Sequence, residues 1–143
     1  EGYSFLKINS GMNDMPRVAM YGVQEPIFVV PASLYPTSPY QGEEQTPELK
    51  SYAVVGHCCE SSDLLTCKLY EAETIETREL PEAYIGDYLV VDGVGAYNAG
   101  MAIKNYNSFP ESGELLLREN GDIVEIRKRE SVEEIWRNER EVL

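Results

Sequence analysis

The sequence predicts a mainly β domain, a β-barrel or sandwich, that ends in a short C-terminal helix. Seven short apolar runs are each bounded by Gly, Pro, Asn or Asp, which is the pattern of strands joined by turns. The pair Asn120-Gly121 lies between the last two runs and is the strongest short-range signal of a hairpin. Ser131 and Glu134 have the spacing of a capping box, so a helix is predicted only after Ser131.

The seven runs have the length of strands and are rich in Val, Ile, Leu or Tyr. A polar, proline-rich segment from Pro36 to Lys50 predicts a surface loop between the second and third runs. The predicted final helix carries an apolar stripe of Val132, Ile135 and Trp136. In chain order the runs are residues 4–8, 26–32, 52–58, 67–75, 86–92, 113–120 and 122–130.

Composition limits the classes of function. The chain has 143 residues and a hydrophobic fraction of 43%, which predicts one folded domain. Its formal net charge of −13 repels phosphate backbones and anionic lipids. We therefore expect neither nucleic acid nor a membrane as a partner. The N-terminal residues lack the basic segment and the apolar segment of a signal peptide, so a cytoplasmic location is expected. The sequence does not begin with Met, which suggests a piece of a longer polypeptide.

The cysteines predict neither a disulfide framework nor a metal site. Cys58, Cys59 and Cys67 make an odd number without secretory context. A structural zinc site needs four ligands, often in C-x2-C pairs, whereas the chain has one histidine, His57, and no such pair. No metal is therefore expected.

The stretch VVGHCCESSD, residues 54–63, contains the first candidate site. Gly56 is predicted to end a strand, which leaves Cys59 and Glu60 in the following loop, where a scaffold commonly presents reactive groups. A thiol can act there as an acid or nucleophile, and a carboxylate can hold a substrate ammonium group. The alternative is a buried cysteine followed by a solvated turn, since free cysteine is among the most buried residue types.

Two further stretches add candidates. Residues 11–22 contain Arg17 and Tyr21, a donor pair suited to a carboxylate. Residues 92–110 contain three glycines and Tyr97 at the predicted end of a strand, followed by an Asn-rich turn.

Together the three stretches resemble the C-terminal domain of the diaminopimelate decarboxylases, which are pyridoxal-phosphate enzymes of the alanine-racemase-like fold type. The family's patterns are close to G-M-N-D-x-x-R-x-x-x-Y, C-E-S-G-D and G-A-Y followed by N-Y-N-S, and the closing hairpin and helix are also similar. The resemblance covers nearly the whole chain. Ser62 stands where the family usually has glycine, and Phe109 where it often has arginine.

The resemblance implies a two-domain enzyme in which residues 1–143 are the C-terminal β domain. A β/α barrel, absent from this chain, would come first and bind pyridoxal 5'-phosphate on a lysine. A homodimer would complete each active site with the C-terminal domain of the other subunit. The implied reaction is decarboxylation of meso-diaminopimelate to L-lysine and CO2, and the fragment alone is expected to be inactive.

The resemblance also implies a role for each candidate residue. Cys59 would protonate the α-carbon after CO2 leaves. Glu60 would bind the distal ammonium group, Arg17 and Tyr21 the distal carboxylate, and Tyr97 would line both cofactor and substrate. A zwitterionic distal end needs one cationic and one anionic partner, while the cofactor supplies the electron sink.

The neighbouring residues are interpreted as structural. Asp63 and Asn13 are expected to brace loops by hydrogen bonds. Cys58 is expected on the opposite side of the strand from Cys59, packed inside, because side chains alternate along a strand. Cys67 is expected in the core, and His57 is interpreted as a strand-end residue rather than a proton shuttle.

Two other functions remain open from the sequence. One is a D-lysine or D-ornithine decarboxylase on the same scaffold, but such substrates lack the distal carboxylate and would leave Arg17 without a partner. The other is a β domain used only for binding or assembly. The presence of Arg17 together with Glu60 favours diaminopimelate.

Overall fold

Strands dominate the fold. A computed structural model of the chain describes residues 2–34 and 48–141, and the strands and helices within these ranges confirm a mainly β domain with a short C-terminal helix. The elements are β1 (Ser4–Lys7), α1 (Pro16–Tyr21), β2 (Ile27–Val30), β3 (Leu49–Val55), β4 (Cys67–Lys68), β5 (Glu71–Ile75), β6 (Arg78–Pro81), β7 (Tyr88–Val91), β8 (Glu114–Leu117), β9 (Ile123–Arg127) and α2 (Val132–Ile135).

Strand β3 is the centre of the largest sheet in the described residues. It pairs in parallel with β1 and antiparallel with β6, in the order β1-β3-β6. The other ladders join β2 with β7, β4 with β5 and β8 with β9, all antiparallel. Closure of these sheets into a barrel stays a prediction.

The hydrophobic core gathers around β3. Val54 of this strand is fully buried, and Cys67 at the start of β4 is buried as predicted. Helix α1 contributes Val18 to the same cluster, so the core fixes the helix against the sheets. The buried cluster consists of Met15, Val18, Ile27, Tyr52, Val54, Leu64, Leu65, Cys67 and Leu80.

Helix α1 corrects the prediction that helix occurs only after Ser131. It has six residues and no side-chain cap at Met15, although Pro16 suits the first position of a helix. Gly22 ends it in the left-handed conformation, and its N–H donates to the carbonyl of Val18. Burial of one face, rather than helix propensity, maintains such a short helix.

The middle of the chain contains two further corrections. Residues 67–75 form the hairpin β4–β5 instead of one strand, and Tyr70 lies in its turn at a φ of 65°. Strand β6 was not predicted, because its sequence RELP has two charged residues and a proline. Proline is tolerated there because β6 is an edge strand of its sheet.

The C-terminal signals are confirmed. The Asn120-Gly121 turn joins β8 and β9, with Gly121 at a φ of 88°. Ser131 and Glu134 form the predicted reciprocal capping box before α2. Of the predicted loop from Pro36 to Lys50, residues 36–47 lie outside the described residues, and Leu49 and Lys50 belong to β3. Across residues 2–34 and 48–141, none of the helices has both the length and the apolar character needed to cross a membrane.

Candidate functional site

The buried carboxylate of Asp63 joins the first two sequence motifs. It accepts hydrogen bonds from the main-chain N–H of Met12 at 2.7 Å and of Cys58 at 2.6 Å, while Asp63 is only 5% exposed. Gly11 and Gly56 pack against this carboxyl group, and a Cβ at either position would lie 2.5 Å or less from one of its atoms. The predicted loop-bracing role of Asp63 is therefore confirmed, and both glycines are required by close approach.

Asn13 joins the third stretch to the other two. Its side-chain oxygen accepts hydrogen bonds from His57 Nε2 at 2.9 Å and from the Cys58 thiol at 3.5 Å. Its main-chain carbonyl accepts the N–H of Ile103 at 2.8 Å. Asn13 thus braces the loops as predicted, and all three motifs meet around it.

His57 packs under the Asn-rich turn. Its ring stacks on Phe109 with the centroids 3.5 Å apart and the planes 4° from parallel. Burial lowers the pKa of His57 and outweighs the opposing effect of the nearby Asp63 carboxylate, so the neutral ring is favoured. Phe109, at a position where the resembled family often has arginine, therefore has a packing role in this chain.

The two adjacent cysteines differ in environment. Both follow the end of β3 at Val55, so strand alternation was the wrong reason for separating them, although Cys59 is exposed and Cys58 half-buried. Burial, followed by the charge of Asp63, raises the pKa of the Cys58 thiol to about 11. Cys58 therefore stays protonated at neutral pH, while Cys59 is open to solvent and its main-chain N–H donates to Asn107 Oδ1 at 2.7 Å.

Glu60 presents a carboxylate beside Cys59. Tyr106 donates its hydroxyl to Glu60 Oε2 at 3.1 Å, and Ser61 donates its main-chain N–H to Oε1 at 3.0 Å. These hydrogen bonds lower the pKa of the exposed Glu60 carboxyl group, and the bond from Tyr106 has the largest effect. The group is anionic at neutral pH and can accept hydrogen bonds from a cation.

Helix α1 presents the cationic candidate. Arg17 and Tyr21 are four residues apart and so lie on the same face of the helix. The Arg17 guanidinium carbon is 5.7 Å from the centroid of the Tyr97 ring, within the range of a cation–π contact, and Tyr97 is 63% exposed. Tyr21 is half exposed one turn further along the helix.

Four of the five predicted site residues thus form two groups, Arg17 with Tyr97 and Cys59 with Glu60, and Tyr21 lies on the same face of α1 as Arg17. Sequence reasoning missed Tyr106 and Asn107, which contact the second group. The Asn-rich composition of their turn was visible, and Asn tolerates left-handed backbone better than most residues. The identity of the residues that these side chains contact was not visible, because Tyr106 is 46 positions from Glu60 in the sequence.

Comparison with known proteins gives one family. Residues 1–95 match the family model described as "Pyridoxal-dependent decarboxylase, C-terminal sheet domain". The chain is 39% identical over 132 residues to the diaminopimelate decarboxylase of Buchnera aphidicola subsp. Acyrthosiphon pisum, and 39% identical over 139 residues to that of Helicobacter pylori. These matches cover 92% and 97% of this chain, but the chain spans only 29% of the length of each relative.

Solved structures agree with these relatives. One crystal structure of a diaminopimelate decarboxylase superposes with a TM-score of 0.78 at 38% identity, and the match covers 95% of this chain and 30% of that protein. The Helicobacter pylori diaminopimelate decarboxylase, solved in complex with L-lysine, gives a TM-score of 0.70 at 34% identity, over 94% of this chain and 27% of that one.

Proposed function

The chain belongs to the pyridoxal-dependent decarboxylase family, as its C-terminal sheet domain, and on this premise we propose that it is part of an enzyme that converts meso-diaminopimelate to L-lysine and CO2. An N-terminal β/α barrel would precede residues 1–143 in that enzyme. The observation that carries the proposal is that an exposed anionic group, Glu60, and a cationic group, Arg17, lie on motifs that the side chains of Asp63 and Asn13 hold together.

The distal end of diaminopimelate carries both an ammonium and a carboxylate group. The Glu60 carboxylate suits the ammonium, and the Arg17 guanidinium, with the Tyr21 hydroxyl one helical turn away, suits the carboxylate. Recognition of both charges would distinguish this substrate from a diamino acid that has no distal carboxylate. Glu60 and Arg17 would bind and orient the substrate without taking part in bond breaking.

Cys59 is the proposed proton donor to the α-carbon. Its exposure lets the thiol reach a bound substrate, and the hydrogen bond from its main chain to Asn107 fixes its position. Cys58 is unsuited to that role because the raised pKa of about 11 makes it a weaker acid, and its thiol points to Asn13.

Four of the five described lysines are poorly suited to the covalent attachment of pyridoxal phosphate, because each pairs with a glutamate. Lysine attachment requires a neutral amine, whereas hydrogen bonds to glutamates raise the pKa of Lys50 and Lys68. Lys104 and Lys128 also form ion pairs with glutamates. The exposed Tyr97 ring does fit a contact with the cofactor, which would supply the electron sink while the barrel domain anchors it.

The proposal includes a homodimer in which this domain contacts the active site of the partner subunit, and a cytoplasmic location, where L-lysine is used for protein synthesis. The test is a decarboxylation assay of the two-domain protein with meso-diaminopimelate, D-lysine and D-ornithine. Release of CO2 and L-lysine from meso-diaminopimelate at the highest kcat/KM supports the proposal. Preference for D-lysine or D-ornithine would assign the alternative decarboxylase, and no turnover with any of the three would favour a binding or assembly domain.

A further inference from the structure

The turn at residues 105–108 has an unusual backbone. Asn105, Asn107 and Ser108 have φ values of 58°, 51° and 62°, in the left-handed region that residues other than glycine seldom occupy. Such conformations persist only where surrounding contacts compensate for their cost, and they cluster at functional sites. The contacts of this turn therefore indicate what it is for.

Two consecutive residues of the turn contact two consecutive residues of the candidate site. Tyr106 donates its hydroxyl to Glu60 Oε2 at 3.1 Å, and Asn107 Oδ1 accepts the main-chain N–H of Cys59 at 2.7 Å. Each carboxylate oxygen has two lone pairs, so Glu60 keeps acceptor capacity for a substrate ammonium while Tyr106 holds it.

The turn is itself held from behind. Asn105 Nδ2 donates to Glu130 Oε2 at 2.6 Å and to the carbonyl of Phe109 at 3.2 Å. Glu130 Oε2 also accepts the main-chain N–H of Glu111 at 2.9 Å, just before the β8–β9 hairpin. The C-terminal part of the domain thus supports the turn that contacts Cys59 and Glu60.

We propose that Tyr106 and Asn107 are positioning residues of this site: Tyr106 orients the Glu60 carboxylate, and Asn107 fixes the main chain at Cys59. This inference rests on the proposed function for its kinetic consequences. Its structural content is independent of the substrate, because the hydrogen bonds exist without one.

The first test is Tyr106→Phe in the two-domain enzyme, which removes one hydroxyl group and keeps the ring. Because Glu60 binds the distal ammonium, KM for meso-diaminopimelate should rise about three- to tenfold while kcat changes less than about twofold. Tyr70→Phe is the matched control, since Tyr70 is 78% exposed and lies in the β4–β5 turn. Equal effects of the two substitutions would overturn the role of Tyr106.

A second measurement separates this inference from the proposed function. The pKa of the Glu60 carboxyl group can be followed by NMR titration of protein with 13C-labelled glutamate. The hydrogen bond from Tyr106 is the largest cause of the lowered pKa of Glu60. Tyr106→Phe removes this bond but leaves the bonds from Ser61 and the neighbouring Cys58 and Cys59 in place. Tyr106→Phe should therefore raise the Glu60 pKa, and an unchanged pKa would overturn the inference whether or not the protein decarboxylates diaminopimelate.

The role of Asn107 is tested by Asn107→Gly, because glycine keeps the left-handed backbone and removes only the side-chain acceptor. With Cys59 as proton donor, kcat should fall about three- to tenfold, with a smaller change in KM. Ser108→Gly is the matched control, since Ser108 has the same backbone conformation in the same turn. If both glycine variants lowered kcat equally, turn flexibility rather than the Asn107 side chain would be responsible, and this assignment would fail.

Discussion

Asp63→Asn should destabilise the domain strongly although the two side chains have nearly the same shape. The Asp63 carboxylate accepts two short main-chain hydrogen bonds, from Met12 and Cys58, with one bond to each oxygen. An asparagine has only one acceptor oxygen, so its NH2 group must face one of the two N–H donors. That donor then remains buried without a partner.

The expected cost follows from these two bonds. Hydrogen bonds to a charged acceptor contribute roughly 1.5–3 kcal/mol, and a buried donor left without a partner costs about 1–3 kcal/mol. The lost bond and the unpartnered donor describe the same event from two sides, so the two figures are not added, and we expect the free energy of unfolding to fall by about 1.5–3 kcal/mol. Gly11 and Gly56 pack against the carboxyl group and so block movement of the side chain towards either of them.

Urea unfolding of the chain, followed by far-UV circular dichroism, measures this change as a shift of the midpoint at constant slope. Asp122→Asn is the matched control, because it removes the same charge from an exposed position in the β8–β9 turn and should cost less than about 0.5 kcal/mol. If the two variants lost equal stability, net charge rather than the Asp63 hydrogen bonds would explain the effect, and the bracing role would be refuted.

Four further predictions concern the chemistry. Arg17→Met in the two-domain enzyme should lower kcat/KM for meso-diaminopimelate, and the loss should correspond to the roughly 2–5 kcal/mol that an unpaired desolvated charge costs. The kcat/KM values for D-lysine and D-ornithine should fall far less. Equal losses for all three substrates would mean that Arg17 serves the fold. Cys59→Ala should reduce turnover more than substrate binding, whereas Cys58→Ala should mainly reduce stability, and interchangeable kinetics would contradict this. Iodoacetamide at pH 8 should alkylate the exposed Cys59 before Cys58. The thiolate is the reactive form, and the raised Cys58 pKa of about 11 keeps that thiol protonated until the pH approaches this value. Mass spectrometry of the peptides measures the order, and alkylation of Cys58 first would contradict the prediction. The chain alone should neither develop the absorbance band of lysine-bound pyridoxal phosphate nor release CO2, because the cofactor lysine is assigned to the barrel domain and four of the five described lysines pair with glutamates. Either signal would refute that assignment.

The sequence by itself determined the elements whose signals are local. Apolar runs bounded by turn residues predicted β1, β2, β3, β7, β8 and β9, and the Asn120-Gly121 turn and the Ser131 capping box are both formed as predicted. The motifs around Arg17, Cys59 and Tyr97 were likewise visible, because they consist of residue types in a fixed local order. Their membership of one family followed from that order.

Tertiary structure decided what local signals do not encode. Helix α1 depends on burial of Val18 rather than on a cap, and β6 depends on pairing with β3 despite Pro81. The environments of Cys58 and Cys59 could not be derived from strand alternation, because both residues lie beyond the strand, and it is the Asp63 and Asn13 contacts that hold Cys58. Tyr106 and Asn107 reach the site through contacts across more than 40 positions of sequence. A hydrogen bond between distant residues depends on where the whole chain places both partners, so only the folded structure specifies it.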